Sequence, residues 1–297
     1  MSKTTRIGIV GIGAMGLAMA RNLHAKGYPL LVRDVALQAV AGAAALGIEA
    51  CDTPAALAAR CDVLAIVVVD AAQIDEVLFG PGGVVQSVPV AREHPLAVMV
   101  CSTIAANDTE RFAERLKVRA IDLMDSPISG GPVRAADGSM SMMLACEPAL
   151  LVRHEVLLRD LAAKLFFIGA KVGDAARTKL VNNLLAGVNL VAAAEAMALG
   201  AQLGLDRQAL FDVINASSGA SWIGQDRMAR ALAGDYAPRA RAVILTKDVG
   251  LAVQMAGAAG IDTPLGDAAL DVFKSAVAAG LGEQDDAAVV KAIWPGF

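Results

Sequence analysis

The sequence predicts an α/β chain in two parts, a doubly wound parallel sheet followed by an all-α C-terminal domain. Three observations predict it. Short apolar runs alternate with helix-period segments from the start to about Gly169, the pattern of successive βα units. A glycine-punctuated turn follows the first run at once. From Asp174 onward, Ala- and Leu-rich helical patterns succeed one another and strand signals almost vanish. The boundary falls near Val172. It divides the chain into 1–172, a sheet domain, and 173–297, a helical domain. No low-complexity linker separates them, and no solenoid-length repeat is present.

The elements follow in order. "RIGIVGI" is a strand, and "AMGLAMARNLHAKG" has helical spacing and stops at Gly27. "PLLVRD" is a short strand. In "TPAALAARC", Thr53 is placed to cap a helix with Pro54 at its first position. "DVLAIVVV" is apolar throughout, as a parallel strand buried on both faces is. "DAAQIDEVLFG" is helical, "LAVMVCST" a strand, "NDTERFAERLKV" a helix and "AIDLMDSPIS" a strand. "SMSMMLAC", "PALLVRHEVLLRDLAAK" and "KLFFIG" complete the alternation. In the second part, "DRQALFDVINASSG", "SWIGQDRMARALAG", "RARAVILTKDVGLAVQMAGAAG" and "PLGDAALDVFKSAVAAG" read as helices separated by Gly, Asp and Pro.

The 297 residues suffice for two domains with a sizeable core. Aromatics are only 4% of the chain against 56% hydrophobic residues, so aliphatic side chains must do most of the packing. A net charge of −4 argues against nucleic acid as the main partner. Cys51, Cys61, Cys101 and Cys146 lack CxxC spacing and read as small core hydrophobes in a reducing compartment, not as metal ligands. "MSKTTR" runs into a strand with no secretory pattern. The most membrane-like stretch, Leu180–Leu205, is interrupted by Asn182, Asn183, Asn189, Glu195 and Gln202, so a buried helix is expected instead of a span. A cytoplasmic protein is expected.

Gly11-x-Gly13-x-x-Gly16 follows a strand and opens a helix, the context a dinucleotide fingerprint requires. The first glycine permits the turn, the second lets backbone approach a pyrophosphate, and the third lets helix and strand pack closely. Ile12, Ala14 and Met15 complete the loop whose N–H groups face the anion. The next strand ends at Asp34, placed to accept the ribose hydroxyls and to repel a 2′-phosphate. NAD is therefore expected before NADP, with Arg33 as the one feature pointing the other way. A Rossmann-type domain follows from this fingerprint; the competing reading is a glycine turn kept for packing alone. A cleft beside a helical domain would admit a small molecule.

A nicotinamide dehydrogenase needs a group to take the alcohol proton. His24, His94 and His154 lie in segments that read as surface helix or loop, so they are fillers and the base comes from another residue type. In "GDAARTKLVNNLL", Lys179 and Asn183 share a helix face. A lysine in the early turns of a helix, against apolar neighbours, has its charged form disfavoured, which suits a general base. A solvated Lys with polar groups tying helices together is the equal alternative. Ser129, Gly130 and Gly131 can present backbone N–H groups to a carboxylate, or form a plain loop. Ser102 and Thr103 end a strand where open α/β sheets bind ligands. The pair Lys247–Asp248 either reaches into the site or caps its helix on the surface.

Together "GIVGIGAMGLAMARNL", "STIAA", "DSPISGGPVRAADGS", "GDAARTKLVNNLL" and "KDVGLA" resemble, in order and across essentially the whole chain, the β-hydroxyacid dehydrogenase family. That family includes 3-hydroxyisobutyrate dehydrogenases and tartronate semialdehyde reductases. The resemblance implies hydride transfer between a small hydroxy acid and NAD, a soluble homodimer or homotetramer built through the helical domain, and no metal. It implies that Lys179 is catalytic, that Asn183 supports the substrate hydroxyl, and that Ser129, Gly130 and Gly131 hold the substrate carboxylate. The cofactor set would be Gly11, Ile12, Gly13, Ala14, Met15, Gly16, Asp34, Val69, Thr103 and Lys247. Val100, Ala106 and Arg134 depart from the family's common residues, as does "GDA" before the lysine. These changes bear on pocket shape, and the Arg134 guanidinium favours a more hydroxylated or anionic substrate. A dinucleotide sensor without catalysis is the reading from another class, and the retained Lys179, Asn183 and Ser-Gly-Gly loop argue against it.

Overall fold

The structure, a computed structural model, describes residues 3–86 and 95–297. His94 lies outside the described residues. The chain divides into two compact units, Met1–Lys179 and Leu180–Phe297, and the long helix α8 (Asp174–Gln202) contains the division.

The first unit is built on one sheet. Its strands are β1 (Ile7–Val10), β2 (Leu30–Arg33), β3 (Glu49–Ala50), β4 (Val63–Ile66), β5 (Ala97–Val100), β6 (Asp122–Asp125), β7 (Ile128–Ser129), β8 (Ser141–Ala145) and β9 (Lys164–Gly169). The order is β3-β2-β1-β4-β5-β6-β8-β7, with β9 on β8. Strands β1 to β6 are parallel. The sheet is parallel-dominated, as the sequence predicts, and at its edge β8 runs antiparallel to β6 and β7. The segment "AIDLMDSPIS" is not one strand. It breaks at Ser126–Pro127 into β6 and β7, since Pro127 has no N–H to give the ladder.

Helices cover both faces. They are α1 (Ala14–Ala25), α2 (Leu37–Ala44), α3 (Pro54–Ala58), α4 (Ala71–Phe79), α5 (Ala106–Lys117), α6 (Gly131–Asp137) and α7 (Pro148–Leu161). Strand residues alternate between two cores. Ile7, Ile9, Val63 and Ala65 pack with Met19 and Leu23 of α1 and Leu157 of α7. Val10, Leu64 and Ile66 pack with Leu57, Ile74, Leu78 and Phe112 on the opposite face. This two-sided burial is why "VLAI" reads as an unbroken apolar run. Caps sit where local chemistry puts them: Thr53 Oγ1 accepts from Ala56 N at 3.0 Å, and Asp70 Oδ1 from Gln73 N at 2.9 Å. All four cysteines are buried and none is in a disulfide.

The second unit is helical: the rest of α8, then α9 (Arg207–Asn215), α10 (Trp222–Leu232), α11 (Ala242–Ala258), α12 (Pro264–Ala276) and α13 (Val289–Ile293). Among the described residues, α8 alone is long and apolar enough to cross a membrane by length and composition. Its Leu190, Ala194 and Met197 are buried with Met228 of α10, Val249 of α11 and Phe273 of α12. Gly187 lets α11 approach, since a Cβ there would stand 2.5 Å from a Val249 methyl. A buried charge cluster fixes the C-terminal turn. Arg230 pairs with Asp285 at 2.7 Å, and Asp285 also accepts the N–H groups of Arg239 and Ala240.

Candidate active site

Gly11, Asp34, Val69 and Thr103 follow β1, β2, β4 and β5, at the C-terminal ends of the parallel strands on the two sides of the point where the strand order reverses. Open α/β sheets bind their ligands at such a switch point. The three fingerprint glycines have different reasons to be glycine. Gly11 has φ of +86°, and a Cβ on it would lie 2.4 Å from the Val67 carbonyl oxygen. At Gly16 a Cβ would lie 1.9 Å from the Gly11 carbonyl oxygen. Gly13 has neither constraint: its φ is −63°, and nothing stands within 4 Å of a Cβ. It is bare toward open space, in front of the uncapped N-terminus of α1. Backbone donors plus a helix dipole make an anion site, so these residues fit a dinucleotide pyrophosphate.

Asp34 follows β2. Its Oδ2 accepts from Ile12 N at 2.7 Å and its Oδ1 from Ala36 N at 2.8 Å. The carboxylate thus braces the glycine loop. The Arg33 guanidinium donates to the Asp34 carbonyl oxygen, which holds it beside the acid. At the end of β5, buried Ser102 accepts from Val68 N at 3.0 Å. That bond ties the loop carrying Val69 to the one carrying Thr103, and Val69 N donates to Gln73 Oε1 at 2.8 Å.

Ser129 closes β7. Gly130 and Gly131 have φ of +129° and +74°, values that favour glycine. The segment after Ser129 is less of a loop than the sequence implies, because α6 starts at Gly131. Its Arg134 folds back so that the stem lies 3.0 Å from where a Gly130 Cβ would be. Helices α1 and α6 flank a pocket of about 440 Å³ lined by Ala14, Leu17, Ala18, Arg21, Pro132, Val133 and Ala136. The helices that follow the two glycine motifs, α1 and α6, thus lie against one another.

Helix α8 begins at Asp174 and places Lys179 in its second turn, 7% exposed. Its first turn is anchored from below. Asp125, the last residue of β6 and 1% exposed, accepts from Gly173 N at 2.9 Å and Ala176 N at 3.0 Å through Oδ2. Burial pushes the Asp125 carboxyl up to about 6, against the lowering effect of those N–H groups. Arg177 is held by Glu110 at 2.7 Å and Asp174 at 2.9 Å. Asn183, one turn after Lys179 and 8% exposed, belongs to the second unit. Its Nδ2 donates to Asp248 Oδ2 at 2.8 Å, and its Oδ1 accepts from Asn182 at 3.1 Å. Asp248 Oδ1 also pairs with Lys247 Nζ at 2.7 Å. Asp248 is 4% exposed in mid-α11, so this pair is not a surface cap.

Sequence reasoning missed Asp125 and the bond from Asp248 to Asn183. The partners lie 48 and 65 residues apart, and no local pattern connects them. It also placed His154 on a surface segment. His154 is buried on α7, and burial lowers its pKa, so it is a core filler. No group of three or more metal-ligating side chains occurs among the described residues.

Comparison with known proteins agrees in extent. A family model described as the NAD binding domain of 6-phosphogluconate dehydrogenase matches residues 6–169. One described as the NAD-binding of NADP-dependent 3-hydroxyisobutyrate dehydrogenase matches residues 173–293. The chain is 38% identical over 291 residues to an L-threonate dehydrogenase of Cupriavidus necator, covering 98% of this chain and 96% of that one. It is 31% identical to a 2-(hydroxymethyl)glutarate dehydrogenase of Eubacterium barkeri, covering 99% and 96%. Among solved structures, one described as 3-hydroxyisobutyrate dehydrogenase from Salmonella typhimurium aligns with a TM-score of 0.88 at 38% identity, covering 97% and 99%.

Proposed function

Because the chain belongs to the β-hydroxyacid dehydrogenase family, an NAD-binding family of oxidoreductases, we propose that it oxidises L-threonate at C2 with Lys179 as general base. The observation that carries the reading is the buried Lys179 on a helix whose start is fixed by Asp125, together with similarity to L-threonate dehydrogenases along almost the whole chain. NAD, when bound, supplies the acceptor for the hydride leaving the carbinol carbon. Gly11–Gly16 bind its pyrophosphate, Asp34 its adenosine ribose, and Val69, Thr103 and Lys247 its nicotinamide half. The N–H groups of Ser129–Gly131 orient the substrate carboxylate. Neutral Lys179 takes the hydroxyl proton on Nζ, so the acid loses two electrons and two protons in all and becomes a ketone. Asn183 steadies the same hydroxyl, its amide oriented by Asp248.

General base catalysis contributes about 10²–10⁴-fold. Lys179→Ala therefore loses turnover on that scale while still binding NADH. The check is NADH absorbance for rate and NADH fluorescence for binding; near-normal turnover sinks the assignment. A panel of L-threonate, D-threonate, 3-hydroxyisobutyrate, D-glycerate and L-serine, each with NAD and NADP, tests the substrate. A best rate with 3-hydroxyisobutyrate or D-glycerate would move the reading to the other branches of the family, 3-hydroxyisobutyrate dehydrogenase and tartronate semialdehyde reductase. Binding of NADH with no turnover of any acid would make it a sensor. The same reading places residues 173–297 as the substrate and oligomerisation domain of a cytoplasmic homodimer or homotetramer.

A further inference from the structure

We propose that Asp125 is a positioning residue for the reaction, setting the location and the basicity of Lys179 through the first turn of α8. The inference rests on Lys179 being the general base, and it gives a role to Asp125, the first residue of the "DSPISGG" motif, whose assigned roles begin at Ser129.

The first backbone N–H groups of a helix have no partner inside it. In α8 the residue best placed to cap locally is spent elsewhere, since Asp174 turns its carboxylate to Arg177. The acceptor comes instead from 48 residues away: Asp125 Oδ2 takes Gly173 N and Ala176 N. Gly173, at φ of +97°, delivers its N–H from a conformation that favours glycine. Beside these bonds, Ala175 is buried with Met143 and Ala145 of β8. The first turn is thereby pinned by hydrogen bonds and by packing. Three residues beyond Ala176 the same rigid helix carries Lys179. Asp125 also ends the strand that leads, through Ser126–Pro127–Ile128, to Ser129 and the glycine pair. One buried carboxylate therefore ties the helix of the proposed base to the segment of the proposed carboxylate site.

Its charge has a second consequence. An anion at a helix N-terminus offsets the positive end of the dipole and makes the charged form of a nearby lysine less unfavourable. The other titratable groups facing Asp125 are Asp174 on α8 and the Cys146 thiol after β8, both of which interact with it electrostatically. The Cys101 thiol at the end of β5 is engaged with Ser126, the next residue. Asp174 is the other anion at this helix end, and its carboxylate is paired with Arg177 at 2.9 Å. Nothing in a purely architectural capping role requires a carboxylate, because an amide oxygen accepts the same two N–H groups.

The experiment compares Asp125→Asn, Asp125→Ala, Lys179→Ala and the Asp125→Ala/Lys179→Ala double variant of the full chain. The substrate is whichever of the five acids above the unaltered protein oxidises fastest. Asp125→Asn keeps the acceptor and loses the charge. It should retain kcat within about 3-fold at the optimum and move the acidic limb of the kcat profile down by about half a pH unit, the scale of one charge at a helix end. Asp125→Ala loses the acceptor as well. Its kcat should fall about 10- to 100-fold, as small misplacements of a catalytic group do, with NADH affinity unchanged. The double variant should be no slower than Lys179→Ala, since residues acting through one group are not additive. Unchanged kcat and limb in both Asp125 variants would overturn the inference, as would additive losses in the double variant. If Asp125→Ala fails to fold, the acidic limb of Asp125→Asn decides alone. A Lys179→Ala variant as active as the unaltered protein would instead overturn the assignment of the base, a separate and distinguishable result.

Discussion

At the scale of single residues, the fingerprint separates packing from ligand binding. Gly16 cannot carry a side chain, because a Cβ would overlap the Gly11 carbonyl. Gly16→Ala should therefore lower thermal stability and NADH binding together. Gly13→Ala meets nothing in the protein, so its melting temperature should match the unaltered chain while NADH affinity falls by 10-fold or more. Calorimetry and fluorescence titration on the two variants make the comparison, and equal NADH affinity in Gly13→Ala would mean the pyrophosphate does not approach there. Asp34 is a mixed case. Both of its carboxylate oxygens accept backbone N–H groups, so Asp34→Asn, with a single acceptor oxygen, should loosen one of the two loop bonds and relax the exclusion of a 2′-phosphate. The ratio of NAD to NADP efficiency should drop toward unity, read by kcat/KM with each cofactor.

At the scale of elements, legibility followed burial geometry. Strands β4 and β5 were plain because two-sided burial forces continuous apolar runs. Helix α3 was plain because Thr53 and Pro54 mark its start locally. Helix α2 and strand β3 went unread: "LQAVAGAA" and "EA" carry almost no pattern, and β3 exists through its pairing with β2. Helix α6 hid inside the glycine motif, since Gly131-Pro132 reads as a turn until the residues after it find α1. In the second unit the strongest unforeseen element is the turn around Asp285. Breaking a buried, hydrogen-bonded ion pair strands its partner, so Asp285→Ala should destabilise the protein by about 3–5 kcal/mol. Chemical denaturation measures it, and a loss under about 1 kcal/mol would show that Arg230 finds another partner.

At the scale of the whole molecule, one buried carboxyl should leave a signature in stability against pH. Asp125 titrates at about 6 in the folded protein against an ordinary 3.8. The folded state thus holds this proton more tightly than the unfolded chain does. The resulting stabilisation is complete below about pH 4 and is lost as pH rises through about 6. The Asp125→Asn variant lacks that loss. Its melting temperature relative to the unaltered protein should rise between pH 4 and pH 7, as followed by calorimetry. A difference flat across that window would mean the carboxyl is not perturbed. An ionised Asp125 at neutral pH is then a cost to stability, consistent with a charge retained for the chemistry beside it.

By itself, the sequence determined the α/β class, the dinucleotide loop with Asp34, and the candidate residues Lys179 and Ser129–Gly131. Each of these is written in contiguous residues, as a strand–glycine–helix turn, a helical spacing or a loop of small residues. Only the tertiary structure decided that β8 turns antiparallel, that His154 is buried, that Asp248 orients Asn183, and that Asp125 caps the helix bearing Lys179. Those features depend on side chains and strands brought together from distant parts of the chain. Local propensity carries no term for such meetings; the close packing of the folded core creates them.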